Sequence, residues 1–193
     1  MAANMCSGWD NSECEGSRHC PPRCPRFVDD EGTPVLIRPY GPDRRDAVLA
    51  MYDAIESSTM GLPPEHRDDR ERWINRLASD GWNLIATVDD EVIGHVAVVP
   101  ADAADPEFVI FVRPDFRNRG IGSELLEHVV AHADDRDHNE LNLNVSTDRT
   151  RAIAVYEKIG FSVTNVNRID IEMRLQLEES LVTAVRRPPA ARD

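Results

Sequence analysis

The sequence predicts one α/β domain, built on a mixed, mostly antiparallel central sheet with helices on both faces. From Val35 to about Leu177 apolar residues recur regularly, and their spacing alternates between strand and helix periods in the order β-α-α-β-β-β-α-β-α-β-β. A chain of 193 residues is long enough for one such domain with a buried core. Residues 1–34 and 178–193 lack this periodicity, so we expect disordered tails on both sides of the domain, 35–177.

The first part of the domain is predicted from apolar stripes and from the residues that interrupt them. Val35–Arg38 is expected to form a strand. A helix then opens at Pro42 and ends before Gly61, and a second helix ends at Gly81, where glycine can adopt a left-handed cap conformation. The apolar face of this second helix consists of Trp73, Ile74 and Leu77.

The middle of the domain is rich in β-branched residues. Trp82–Val88 and Glu91–Val99, joined by Asp89-Asp90, predict an antiparallel hairpin. Phe108–Val112 is wholly apolar, which is typical of a central strand. After a glycine-bearing turn, an apolar stripe predicts a helix over about 121–133.

The last part of the domain returns to short elements. Leu141–Val145 predicts a strand, and Thr150–Ile159 predicts a short helix that ends at Gly160. A final half-exposed strand is indicated by the alternating apolar residues Ile169, Ile171, Met173, Leu175 and Leu177.

The charge balance is strongly acidic. The chain carries 35 carboxylate side chains against 22 basic ones, a net charge of −13, and Lys158 is its only lysine. Such a surface repels phosphate backbones, so we expect no nucleic acid partner. This composition is typical of a salt-adapted cytoplasm or a GC-rich genome, and it indicates a solvated acidic surface rather than a cation-binding patch.

No membrane or export signal is apparent. The apolar runs are far shorter than the roughly 18 residues of a membrane span. Residues 1–30 contain no apolar core of a signal peptide. We therefore expect a soluble, cytoplasmic protein with no membrane partner.

All four cysteines, Cys6, Cys14, Cys20 and Cys24, lie in the first 24 residues and are not placed to cross-link the domain. Together with His19 they are candidates for zinc, but paired Cys-x-x-Cys spacing is missing and few apolar residues surround them. We expect a reduced tail and no metal. We also expect that deletion of residues 1–30 leaves cofactor binding intact.

The strongest chemical signal is Arg117–Ser123, where a buried strand gives way to an amphipathic helix. Such a turn directs several unpaired backbone N–H groups toward one point, and the helix dipole favours an anion there. Gly120 and Gly122 allow close approach of a phosphate, while Arg117 and Arg119 can add positive charge. A pyrophosphate is the ligand that this pattern suggests.

Taken alone, this turn is equally consistent with a tight strand-to-helix connection that binds nothing. No Gly-Lys-Ser/Thr follows, so it is not a P-loop, and the Gly-x-Gly-x-x-Gly dinucleotide fingerprint is absent.

Two blocks together resemble the GNAT superfamily of N-acetyltransferases. Val112-Arg113-Pro114-Asp115-Phe116, followed by Arg117-x-x-Gly120-x-Gly122, is similar to the family's acetyl-CoA motif V-x-P-x-Y/F-R/Q-x-x-G-x-G/A. Ala152–Phe161 resembles the family segment A-x-x-L-Y-E-K-x-G-F. The likeness covers roughly Val35 to Leu177, includes Gly94, and suggests an acidic, haloarchaeal-like member.

The resemblance implies a GNAT fold that is splayed between the fourth and fifth strands, Phe108–Val112 and Leu141–Val145. Acetyl-CoA is the implied cosubstrate, with its pantetheine arm in the gap and bonded to backbone groups near Val112. Arg149 stands where many members carry an asparagine that contacts the cofactor. The cofactor-binding residues expected on this basis are Phe111, Val112, Arg113, Arg117, Asn118, Arg119, Gly120, Ile121, Gly122, Ser123 and Arg149.

The resemblance also implies catalytic roles. Tyr156 matches the tyrosine that often protonates the departing CoA thiolate; otherwise it is a core aromatic. Glu107 is a candidate general base, or an ordinary exposed carboxylate at a strand end. His95 is a second candidate, although a lone histidine in an apolar strand is more often a core residue. Water is the remaining alternative.

The expected activity is N-acetylation of a primary amine by direct attack on the thioester in a ternary complex, without an acyl-enzyme. The acceptor can be a small molecule or a peptide, and the chain can be a monomer or a homodimer. The competing hypothesis is a GNAT-fold module that binds acyl-CoA or an effector without turnover.

Overall fold

A computed structural model describes residues 9–55 and 66–192. It contains eight strands: β1 Arg26–Val28, β2 Pro34–Pro39, β3 Trp82–Val88, β4 Glu91–Val99, β5 Glu107–Val112, β6 Glu140–Ser146, β7 Ser162–Val166 and β8 Asp170–Gln176. The helices are α1 Arg45–Asp53, α2 Arg67–Asp80, α3 Ile121–Asp134, α4 Thr150–Ile159 and α5 Glu179–Val185. Short 3-10 turns occur at Pro42–Arg44, Pro114–Phe116 and Pro189–Ala191.

The strands form one sheet in the order β1-β2-β3-β4-β5-β6-β8-β7. Every neighbouring pair is antiparallel except β5 and β6, which are parallel. Between β2 and β8, the chain follows the element order that the sequence predicts. The predicted mixed, mostly antiparallel sheet is therefore confirmed.

The sheet separates two apolar cores. One includes apolar residues of α3, α4 and α5 together with Phe108, Leu143 and Met173 from the strands. The other lies under α1 and α2, where Tyr52 packs edge-to-face against Trp73 and Phe111. Helices on both faces are what an apolar, doubly buried strand such as β4 requires.

Gly94 lets α3 approach the sheet. A Cβ atom at this position would lie 2.9 Å from Leu125 Cδ1 of α3 and 3.3 Å from the Cβ of Ala86 on β3. A larger residue at this position would therefore require the Leu125 side chain to move.

The parallel pair β5 and β6 diverges. Their only paired position is Glu107 with Asn142, where the Asn142 N–H donates to Pro106 O at 2.9 Å. Beyond that point the two strands separate, and β6 continues its pairing with β8. The splay expected between the fourth and fifth predicted strands is found here.

The two terminal segments differ from the expected disordered tails in their described residues. β1 pairs with β2 and extends the sheet, and α5 buries Val182 and Val185 against the core. The two segments also touch each other, because the Ala190 N–H donates to Cys14 O at 3.1 Å. A strand of three residues and a helix of seven are too short for a clear periodic signal.

A buried ion pair links the N-terminal segment to α3. The Arg23 guanidinium contacts the carboxylates of Glu124, at 2.8 Å, and Glu127, and its side chain is almost fully buried. It also donates to Val185 O at 2.5 Å. These contacts are long-range, which explains why the sequence pattern of residues 1–34 does not reveal them.

Among residues 9–55 and 66–192, no helix has the length and apolar character needed to cross a membrane. Cys14, Cys20 and Cys24 are free thiols, and Cys6 lies outside the described residues. The described part of the chain contains no cluster of three or more His, Cys, Asp or Glu side chains suited to a metal ion.

Candidate functional site

The gap between β5 and β6 is a cleft of about 760 Å³. This lies within the range of roughly 300–1,000 Å³ typical of ligand pockets. Its walls are residues 108–112 of β5, residues 143–146 of β6 and residues 148–152 at the start of α4. Pro114, Arg117, Asn118, Val155 and Tyr156 complete the lining.

One wall of the cleft offers backbone groups. β5 is paired with β4 along its whole length, but it pairs with β6 only at Glu107. Its backbone groups that face the gap beyond Glu107 therefore have no partner on β6, so an amide-bearing chain can take the place of the missing strand. The Val112 carbonyl accepts a hydrogen bond from Arg117 Nε at 3.0 Å, so this particular acceptor is engaged.

The predicted phosphate loop adopts a strained backbone that leads directly into α3. Asn118 has a φ of 60° and Gly120 a φ of 82°, and the first helical hydrogen bond runs from Glu124 N–H to Gly120 O at 3.0 Å. The N–H groups at the first positions of a helix have no partner inside it. The loop thus gathers backbone donors at the positive end of the helix dipole, as the sequence predicts.

Gly122 faces open space. A Cβ atom added there would meet only Val112 Cγ2, at 4.0 Å, so internal packing does not require a glycine at this position. Gly120 differs, because its positive φ favours glycine. The room above Gly122 is consistent with a ligand that approaches the helix start.

Three arginines line the cleft. Arg149 precedes α4 and Arg151 lies in its first turn, with Arg151 Nη1 3.4 Å from Asn118 Oδ1. Burial, and then the neighbouring charge of Arg149, lower the pKa of Arg117 below its usual value. These three cations concentrate positive charge along one cleft in a chain of net charge −13. Sequence reasoning missed Arg151, although its place at the start of α4 was visible.

Two other predicted arginines do not line the cleft. Arg113 binds Asp115 at 2.8 Å and Glu91 at 3.1 Å. Arg119 turns to the N-terminal segment and binds Asp29 at 2.6 Å. Ile121 is buried in the core, and Ser123 is half-buried in the first turn of α3. Of the predicted cofactor residues, those lining the cleft are Phe111, Val112, Arg117, Asn118 and Arg149.

Tyr156 presents its hydroxyl to the cleft from α4. Its ring packs edge-to-face with Phe108 and Phe161, at centroid distances of 6.2 and 5.7 Å. Burial raises the pKa of Tyr156 to about 12, with a smaller opposing effect from Arg149. Among the described residues its hydroxyl has no hydrogen-bond partner. It is therefore protonated at neutral pH and able to donate to a ligand.

Glu107 begins β5 at the end of the gap where the two strands still pair. It is exposed, and its Oε1 accepts a hydrogen bond from Asn144 Nδ2 of β6 at 3.0 Å. Because side chains alternate along a strand, Glu107 and Phe111 face the α1 and α2 side of the sheet. Phe108 faces the opposite side, with Tyr156. The two candidate catalytic groups thus belong to opposite faces of the splayed sheet.

His95 is enclosed in the core, with only 1% of its surface exposed. Its Nε2 lies 2.9 Å from Asn83 Oδ1 and its Nδ1 lies 2.7 Å from the Tyr52 hydroxyl. Since Asn83 Nδ2 donates to Leu77 O, the Asn83 oxygen faces the histidine, which places the proton on Nε2. Burial lowers the pKa of His95 to about 3. Both nitrogens are engaged, as in a core histidine.

The family model described as the acetyltransferase (GNAT) family matches residues 48–161, more than half of the chain. The chain belongs to the GNAT acetyltransferase family. Several similar proteins are named as N-acetyltransferases, which supports acyl transfer as its general activity.

Two relatives illustrate the range of similarity. The peptidyl-lysine N-acetyltransferase YjaB of Salmonella typhimurium is 38% identical over 138 residues, which are 70% of this chain and 89% of that protein. The ribosomal protein bS18-alanine N-acetyltransferase of Salmonella typhimurium is 38% identical over 87 residues, 45% of this chain. In that second case the match spans 58% of the relative's length.

Solved structures share the GNAT fold. The GNAT domain of S. lividans PAT superimposes with a TM-score of 0.69 at 21% identity, covering 78% of this chain and 95% of that one. The structure of yncA from Salmonella typhimurium with its cofactor acetyl-CoA has a TM-score of 0.63 at 20% identity, covering 75% and 95%.

Proposed function

We propose that the protein binds acetyl-CoA in the cleft and transfers the acetyl group to a primary amine by direct attack in a ternary complex. The observation that carries this proposal is the cleft itself. Arg117, Arg149 and Arg151 line it, the start of α3 follows its Arg117-Asn118 edge, and the protonated Tyr156 lines it from α4.

The donor fits the cleft by charge and by shape. The pyrophosphate is assigned to the N–H groups at the start of α3, with Gly122 leaving room for it. Arg117, Arg149 and Arg151 supply positive charge. The pantetheine arm, which carries two amides, takes the place of the missing strand along β5. This assignment directs the thioester toward the middle of the sheet.

The reaction requires one bond to form and one to break. The neutral amine nitrogen attacks the thioester carbonyl carbon, the C–N bond forms, and the C–S bond breaks with its electron pair on sulfur. Tyr156 donates its hydrogen bond, and then its proton, to that sulfur. The attacking nitrogen is positively charged after the C–N bond forms, and the proton that it loses as the amide is completed returns through water to the Tyr156 oxygen. An amine of pKa near 10.4 is mostly protonated at neutral pH, so it must first lose a proton.

We propose that Glu107 is the general base, which accepts that first proton directly or through water. Glu107 does not itself line the cleft, but its carboxylate lies on the sheet face opposite Tyr156, and on this assignment the amine approaches from that face, the α1 and α2 side. The acceptor is then a small molecule or a peptide with a primary amine. By their names, one relative acts on an alanine of ribosomal protein bS18 and the other on peptidyl-lysine.

The test is a panel of amines offered with acetyl-CoA: a peptide with a free N-terminal alanine, an Nα-blocked lysine peptide, free amino acids and a polyamine. Acetylated product is measured by mass spectrometry, because the protein's own cysteines react with thiol reagents. We expect turnover with at least one acceptor class and none without enzyme. Acetyl-CoA binding with no product from any amine would instead favour the non-catalytic binding module.

A further inference from the structure

The turn between β1 and β2 lies against the phosphate loop. This turn, residues 29–33, is closed by hydrogen bonds from the Asp29 N–H to Thr33 O at 3.0 Å and from the Gly32 N–H to Asp29 O at 2.9 Å. Its backbone reaches the loop through the Asp30 N–H, which donates to Arg119 O at 3.2 Å. The segment therefore contacts the part of the chain that precedes α3.

Asp29 divides its two carboxylate oxygens between the turn and the loop. Oδ1 accepts the N–H groups of Glu31 and Thr33 at 3.0 and 2.8 Å. Oδ2 binds the Arg119 guanidinium, at 2.7 Å from Nε and 2.6 Å from Nη2. The side chain is fully buried. Burial alone would raise the pKa of Asp29, but the hydrogen bonds from Thr33 and Arg119 outweigh it and lower the pKa.

Arg119 is held on all sides by this arrangement. Its Nη2 donates to Thr33 Oγ1 at 2.5 Å, its Nη1 lies 3.2 Å from Glu31, and its guanidinium stacks over the Phe116 ring at 4.7 Å. Its neighbours in the chain are Asn118 and Gly120, both with positive φ. Because Arg119 is fixed between these two positive-φ residues, we expect its position to affect where the N–H groups at the start of α3 point.

We propose that Asp29 is a positioning residue for the cofactor site: by clamping Arg119 it holds the phosphate loop in its binding conformation. This inference rests on the proposed function. It makes Asp29 a part of the acetyl-CoA site, although Asp29 does not line the cleft. The role of Arg119 is then structural anchoring of the loop, and not contact with a phosphate.

The sign of the effect separates this role from simple electrostatics. Asp29 carries negative charge near a site for a polyanion, so removal of that charge alone would strengthen cofactor binding. Release of Arg119 to contact a phosphate would also strengthen it. If Asp29 instead positions the loop, its removal weakens binding.

The test variant is Asp29→Asn. An asparagine retains an oxygen for the turn, but its NH₂ group then faces the donors of Arg119, and the exposed Glu31 is the carboxylate that still contacts the guanidinium. We expect the KM for acetyl-CoA to rise about tenfold, with kcat changed less than about twofold. The reason is that the variant loses the preorganisation of the binding loop, which contributes to affinity for the cofactor. Direct titration with CoA should show the same loss.

The matched control is Glu31→Gln, which removes the same charge from an exposed partner of the same guanidinium. We expect its CoA affinity to stay within about twofold of wild type, as is typical of an exposed ion pair. Acetyl-pantetheine, which lacks the phosphates, is the second control. Asp29→Asn should use it as well as wild type does, whereas general damage to the fold would impair both donors alike.

A double variant keeps the test decisive if Asp29→Asn does not fold. Asp29→Asn with Arg119→Gln removes both buried charges and leaves two amides that can hydrogen-bond, and we expect it to fold and to bind CoA more weakly than wild type. Wild-type or tighter CoA binding by either variant would overturn the role of Asp29. If wild-type protein binds neither CoA nor acetyl-CoA, it is the proposed function that fails.

Discussion

Tyr156→Phe should lower turnover much more than it weakens acetyl-CoA binding. Phenylalanine retains the ring that packs against Phe108 and Phe161, and it removes a hydroxyl that has no partner among the described residues. No protein group is therefore left unsatisfied by the change. We expect the melting temperature to stay close to that of wild type.

The size of the effect follows from the pKa of Tyr156, which is about 12. General acid catalysis typically contributes about 10²- to 10⁴-fold in rate. A thiol has a pKa of about 8.5, so the thiolate leaves moderately well without help and a phenol of higher pKa is a weak proton donor to it. We therefore expect kcat to fall about 10²-fold, at the lower end of the range.

The assay compares kcat, the affinity for CoA and the melting temperature for the same preparation. A pH profile adds a second measurement: since Tyr156 retains its proton up to a pKa of about 12, it should cause no loss of kcat near pH 10. Equal losses in kcat and in affinity would refute the reasoning and make Tyr156 a packing residue. So would a fall in wild-type kcat near pH 10 that Tyr156→Phe removes.

Three further predictions concern the loop and the N-terminal segment. Gly122→Glu should abolish the rise in melting temperature that acetyl-CoA causes, whereas Gly122→Ala should retain that rise. At a ligand concentration a hundred times Kd, the stabilisation corresponds to about 2.7 kcal/mol. A normal shift in the Gly122→Glu variant would contradict the assignment of the loop to the pyrophosphate. Burial raises the pKa of Glu124, but His128 and Arg23 lower it by more, to about 2. The ionised carboxylate therefore stabilises the fold above about pH 4.5. We expect roughly 3 kcal/mol of unfolding free energy to be lost as the pH falls from about 4.5 to 2. Urea titrations should show a smaller loss in Glu124→Gln, and an identical loss would exclude Glu124 as its source. Deletion of residues 1–30 should weaken CoA binding, since it removes Asp29. Wild-type affinity in the truncated protein would contradict the role of Asp29 and support the expectation from sequence that the deletion leaves cofactor binding intact.

The sequence alone determined the strand, turn and helix that run from β5 to α3. The wholly apolar Phe108–Val112, the glycine turn and the stripe of α3 are local patterns, and each follows from residues a few positions apart. The splay of β5 from β6 was reached only through the resemblance of two motifs, and the single paired position at Glu107 confirms it.

The tertiary structure decided what the charged and polar side chains contact. Arg119 has the same loop sequence around it whether it binds a phosphate or Asp29, and its partner lies 90 positions away in a segment without periodicity. His95 illustrates the same point, because only the packed core shows that Asn83 and Tyr52 occupy both of its nitrogens. Periodicity reports which face of an element is buried, since burial follows the local repeat of the chain. The choice of ion-pair partner depends on distances between segments, and these exist only once the sheet has formed.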